Sequence, residues 1–182
     1  MPRMHRLPSA PESPPLTPRI PAIAYVLGLA GAVPFVFCGA VASQEGPPAV
    51  LGMLALLGYG AVILSFVGAV HWGFALHTQT PVANRPVAAP RPPALAFRLA
   101  VSTVPALIGW AAILLAVLSM PEIGLALLMV GFIATMATEA RWSQADLVPP
   151  GYIALRWLLS AVVVTSLGVV LALRLIGASI VF

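Results

Sequence analysis

Residues 49–71 read AVLGMLALLGYGAVILSFVGAVH, an apolar run without a single Asp, Glu, Lys or Arg. A hydrocarbon core about 30 Å thick is crossed by roughly 20 helical residues, and inside it every backbone amide must be bonded within the segment. This run meets both demands, and the same pattern recurs on either side of it. Upstream, residues 20–42 are uncharged, contain Pro34 and end at the polar turn Ser43-Gln44-Glu45-Gly46-Pro47-Pro48. Downstream come residues 96–118, with Pro105 inside, then 120–138 and 153–175. The expected fold is therefore all-α: a polytopic integral membrane bundle of five transmembrane helices. Four spans would discard a clear apolar run, and six would split the last one.

Composition agrees. Of 182 residues, 60% are hydrophobic and 8% charged, against about 25% charged in an average soluble domain. A small domain has too much surface to hide that much apolar side chain from water, so lipid must cover the outside. The nine basic residues are all Arg, which with the many Ala, Pro and Gly suggests a GC-rich bacterial genome. A net charge of +4 would raise nucleic acid as a partner for a soluble protein. Here the arginines flank apolar spans, where topology and lipid headgroups account for them, and no nucleic-acid partner is expected.

Charge also orients the chain. Arg3, Arg6 and Arg19 precede the first span, Arg85, Arg91 and Arg98 surround the second connection, and Arg141 and Arg156 surround the fourth. The first and third connections carry only Glu45 and Glu122. The positive-inside bias predicts a cytoplasmic N-terminus and, with an odd number of spans, a C-terminus outside. Residues 1–19, rich in Pro and Arg, read as a disordered cytoplasmic tail. Arg156 and Arg174 stand about 27 Å apart along the last helix, so each guanidinium can snorkel to its own interface. Ser119-Met120-Pro121-Glu122 has the spacing of a capping box, which predicts a tight hairpin between spans three and four.

Few residues could carry chemistry. Cys38 is the single cysteine, so neither an intrachain disulfide nor a thiolate metal cluster can form. His71 stands at the end of the second span beside Trp72. A histidine there can ligate metal or exchange protons, but a plain interfacial role beside an aromatic-belt Trp is the preferred reading. No zinc-ligand spacing exists, His5 and His77 are poorly placed to share a haem, and neither metal nor other cofactor is expected. No nucleophile has a base nearby, no phosphate-binding loop appears, and no catalytic residue is assigned.

Two features remain. The ends of spans two to five should bring His71, Trp72, Arg98, Glu139, Arg141, Trp142, Arg156 and Trp157 to one layer. That layer could take a quinone or lipid headgroup, because Arg offers a fork of donors and Trp a flat wall; ordinary interfacial anchoring needs the same residues. Within it His71, Trp72, Glu139 and Arg156 are the candidate ligand-binding set, and Glu139 with Arg156 can also pin the last hairpin. Small residues recur at helical spacing as Ala24, Gly28 and Ala32 in the first span and Ala61, Ser65 and Ala69 in the second. Such faces suit close packing between those two helices or against another membrane protein.

Three stretches carry a resemblance: Leu27-Gly28-Leu29-Ala30-Gly31-Ala32-Val33-Pro34-Phe35, Tyr59 through Gly73 (YGAVILSFVGAVHWG), and Pro150-Gly151-Tyr152-Ile153-Ala154-Leu155-Arg156. Together they resemble the transmembrane protein 69-like family, also called domain of unknown function 3429, along nearly all of the chain from the first span onward. This chain has Glu139 where the family pattern carries Asp, Gly151-Tyr152 where it carries Trp-Tyr, and Ser160 where it carries Thr. The resemblance implies a small polytopic protein of bacterial inner membranes or mitochondria. It features Tyr59, Ser65, His71, Trp72 and Arg156 without giving any of them a role.

The functional expectation is a non-enzymatic accessory, assembly or scaffold component that packs against membrane partners. A binder of a quinone or lipid head at the cytoplasmic interface stands second. A small-solute carrier stands third, for want of midplane charges and of matching halves.

Overall fold

The computed structural model describes residues 21–77, 92–143 and 152–180. They form five α-helices: α1 Ala22–Ala42, α2 Pro47–His77, α3 Pro92–Val117, α4 Pro121–Ser143 and α5 Tyr152–Ile180. Each holds a stretch long and apolar enough to cross a membrane. The N-terminal tail and the connections at 78–91 and 144–151 lie outside the described residues. Helix α2 continues past His71 to His77, and α5 runs on through Leu175 to Ile180.

Proline marks where helices begin. Pro47 opens α2, Pro92 opens α3 and Pro121 opens α4, where the missing amide would have had no intrahelical partner anyway. The turn before α2 is completed by Gly46 at φ 79°, a left-handed conformation that suits glycine. Two further prolines lie inside helices, Pro34 in α1 and Pro105 in α3. Each withdraws a backbone donor in the middle of a span, where water cannot supply one. Near Pro34 the Tyr59 hydroxyl of α2 donates to the Gly31 carbonyl at 2.8 Å. In the turn before Pro105 the Ser102 and Thr103 hydroxyls donate to the carbonyls of Leu99 and Ala100, both at 2.7 Å.

The helices close a ring in chain order, α1 against α2, α2 against α3, α3 against α4, α4 against α5, and α5 back against α1, while α2 also meets α4 across the middle. Phe35, Leu56, Leu57, Leu64, Leu128 and Leu167 are buried at the centre. Phe35 meets Tyr59 edge-on at 5.0 Å between ring centroids and Phe132 at 6.0 Å, tying α1 to α2 and α4. Phe37, Trp110 and Val117 are exposed on the outside, as expected where the solvent is hydrocarbon.

The glycines and alanines of the small-residue faces on α1 and α2 are approached closely by other helices at two places. A β-carbon placed on Gly28 would come within 3.1 Å of Leu159 on α5. Along 61–68 of α2 the tight approach is toward α3: a β-carbon on Gly68 would sit 2.6 Å from the Ser102 carbonyl and 3.0 Å from the Pro105 ring, and one on Gly109 would sit 3.0 Å from the Ala61 backbone. Helix α2 meets α1 closely at Gly52, whose β-carbon would sit 2.5 Å from the Ala42 nitrogen. Ala61 and Ala32 are buried, Ala24 and Ser65 half-buried, and Ala69 exposed. The Ser65 hydroxyl turns back onto the Ala61 carbonyl at 2.7 Å.

The hairpin between α3 and α4 is as tight as expected, but the capping box does not form. Ser119 adopts φ 63° and ends α3: its amide donates to Ala116 at 3.1 Å and the Met120 amide to Leu115 at 2.8 Å. These are the paired bonds of a Schellman motif, with Ser in the left-handed position glycine normally takes. A residue so placed cannot also have the extended backbone of an N-cap. Among the described hydrogen bonds, none comes from the Ser119 hydroxyl or reaches the Glu122 carboxylate.

Candidate functional site

At the end of the bundle where α2 and α4 finish and α1, α3 and α5 begin, Glu139 faces Arg156. The Arg156 Nε donates to Glu139 Oε2 at 2.8 Å and to Oε1 at 3.1 Å. Both side chains are largely enclosed, with exposures of 15% for Arg156 and 7% for Glu139. Both also lie within the apolar segments Pro121–Arg141 and Ala154–Gly177, where a lone charge is costly and a matched pair is the usual solution. The carboxylate engages one nitrogen of the guanidinium. Among the described residues the two remaining amino groups, Nη1 and Nη2, have no hydrogen-bond partner.

Arg156 also borders an internal space. Among the described residues no α-carbon of α2 comes within 8 Å of one on α5; α1 packs against both, and its Gly28 and Gly31 add no side chain to the gap. An inner cavity of about 160 Å³ results, lined by Phe35, Ile63, Phe66, Phe132, Arg156 and Ser160, among others. An outer one of about 470 Å³, bounded by Ala24, Leu27, Val70, Leu155, Arg156 and Leu159, lies toward the start of α1. Arg156 lines both, and among the described residues it is the one charged residue that does. From Arg156 to Val163, at the inner end, the space follows α5 for about 10 Å.

Ser160 is the residue that sequence reading passed over as a site. It stands four positions after Arg156, on the same face of α5. Only 3% exposed, it lines the inner cavity, and its hydroxyl has no hydrogen-bond partner among the described residues. The two other fully buried hydroxyls among the described residues behave differently: Ser102 and Thr135 each return a bond to their own helix.

The remaining members of the expected layer separate. Trp72 and Trp157 are 43% and 48% exposed and line neither cavity. Arg141 is exposed. His71 belongs to α2, but its side chain lies outside the described set, as do those of Arg98 and Trp142. Of the four candidate ligand-binding residues, Glu139 and Arg156 are brought together and Trp72 is not.

Comparison with known proteins adds the following. The chain is 39% identical over 94 residues to transmembrane protein 69 of Xenopus tropicalis, an alignment covering 52% of this chain and 33% of that protein. The chain thus matches only about a third of that relative's length. No solved structure matches it. The family described as "Protein of unknown function (DUF3429)" matches residues 20–172, four spans and most of the fifth, and the chain belongs to that family.

Proposed function

We propose that this protein holds the polar end of an amphiphile, a lipid or a quinone, at Arg156, with the apolar part lying in the space between α1, α2 and α5. The reading rests on one observation: an arginine with unengaged donors stands at the junction of two cavities whose described lining is, Ser160 apart, apolar. A guanidinium at membrane depth seeks acceptors, and a molecule with a polar head and an apolar body satisfies guanidinium and walls together. The arginine distribution favours the cytoplasmic side for this end, and a GC-rich bacterial composition together with the family favours a bacterial inner membrane.

The accessory or scaffold reading drew on small-residue faces available to another protein. Gly28 is taken up by α5, and Ala61 and Gly68 by α3, so that reading keeps less support than the cavity does.

Gly31→Leu provides the test. A β-carbon on Gly31 meets only the Tyr59 hydroxyl, at 3.8 Å, so the backbone tolerates the change while the longer side chain fills the inner cavity. After purification in mild detergent, native mass spectrometry should find an amphiphile retained by the wild type and lost from Gly31→Leu at unchanged helicity. Wild type that carries none, or a variant that retains it equally, overturns the proposal.

A further inference from the structure

Resting on that reading, we infer that the head bound at Arg156 is uncharged and ring-shaped: a six-membered ring bearing carbonyl oxygens, the chemistry of a quinone. Four observations converge on it. The Glu139 carboxylate already stands 2.8 Å from the Arg156 guanidinium, and among the described residues no other charged side chain lines either cavity. A phosphate head would bring a second negative charge close to that carboxylate in a low-dielectric site, whereas a carbonyl accepts the Nη donors without adding charge.

The second observation is Ser160. Its buried, unpartnered hydroxyl stands one helical turn beyond Arg156, so the cavity offers two donors at successive depths along one wall. A ring with carbonyls on opposite sides can meet both, whereas an acyl chain meets neither. Third, the inner cavity measures about 160 Å³, close to the ~150 Å³ apolar cavity known to admit a benzene ring. Fourth, Phe35, Phe66 and Phe132 contribute to its walls, and aromatic faces pack well against a flat ring. The outer cavity of about 470 Å³ then takes the ring's apolar tail toward the bilayer.

The test uses the purified full chain in detergent and three probes added separately: a short-tailed benzoquinone, dioctanoylglycerol, and a short-chain phosphatidylglycerol. Binding is read as a saturable rise in melting temperature. The benzoquinone is expected to bind best, to lose its effect in Gly31→Leu, and to bind about fivefold more weakly to Ser160→Ala, the loss of one hydrogen bond. If phosphatidylglycerol or dioctanoylglycerol binds as well or better and that binding is lost in Gly31→Leu, the cavity reading stands and the neutral-ring assignment fails. Benzoquinone binding that Ser160→Ala leaves unchanged also overturns the two-donor placement. If no probe responds to Gly31→Leu, the cavity reading itself fails.

Discussion

Arg156 of α5 reaches back seventeen positions to Glu139 of α4, its Nε 2.8 Å from Oε2. The pair closes the α4–α5 hairpin where both helices enter the apolar layer, and it sets the electrostatics of the cavity beside it. Removing one partner of an enclosed pair leaves the other charge stranded, which costs about 3–5 kcal/mol, whereas replacing both with apolar groups is often nearly neutral. Glu139→Leu and Arg156→Met alone should each lower the unfolding free energy in detergent by that order. The double variant should lose far less than their sum, and additive losses would mean the two side chains are not coupled.

Two glycines of α2 separate close helix approach from mere smallness. A β-carbon on Gly68 would sit 2.6 Å from the Ser102 carbonyl, whereas one on Gly58 meets nothing within 4 Å. Gly68→Ala should destabilise by about 1–3 kcal/mol through forced separation of α2 and α3. Gly58→Ala should be neutral, or stabilising by up to about 1 kcal/mol from helix propensity. Thermal unfolding of the two variants side by side checks this.

Ser119 holds a left-handed backbone at φ 63°, a conformation costing a non-glycine residue about 1–2 kcal/mol. Ser119→Gly should therefore leave stability unchanged or raise it slightly, since glycine's greater freedom when unfolded offsets part of the relief. Ser119→Val should lower it. If Ser119 were an N-cap instead, glycine would cost a few tenths of a kcal/mol and a hydroxyl-bearing Thr would be preferred to it.

The Tyr59 hydroxyl supplies a donor to Gly31 beside Pro34. Tyr59→Phe keeps the ring against Phe35 and removes only that donor, so the expected loss is about 1 kcal/mol. Tyr59→Ala should cost several-fold more, and the comparison of their unfolding midpoints separates hydrogen bond from packing.

The spans were legible in the sequence because lipid imposes a simple rule: a helix crossing it must be continuously apolar, as 49–71 is. Which way each helix faces was not legible, because hydrocarbon leaves the outer faces as apolar as the inner ones. Exposed Phe66 and buried Leu64 look alike in sequence, and of the neighbours Gly68 and Ala69 only the first packs against α3. Glu139 and Arg156 could be paired in advance because charges at membrane depth are few. Ser160 could not be singled out, since most hydroxyls in these helices bond to their own backbone. The signal available for it was its position four residues after Arg156. Ser119 misled because one spacing serves both a helix start and a helix end, and only the backbone angle distinguishes them.

The most direct test of the central claim, that an amphiphile occupies the space between α1, α2 and α5, is site-specific photocrosslinking in native membranes. A photoreactive residue replaces Leu159, which lines both cavities, or Leu107, which is exposed on the outside of α3. The account predicts one defined lipid- or quinone-sized adduct at position 159, suppressed by Gly31→Leu, and only the mixed bulk lipids of the membrane at position 107. The same mixture of bulk lipids at both positions, unaffected by Gly31→Leu, would contradict it.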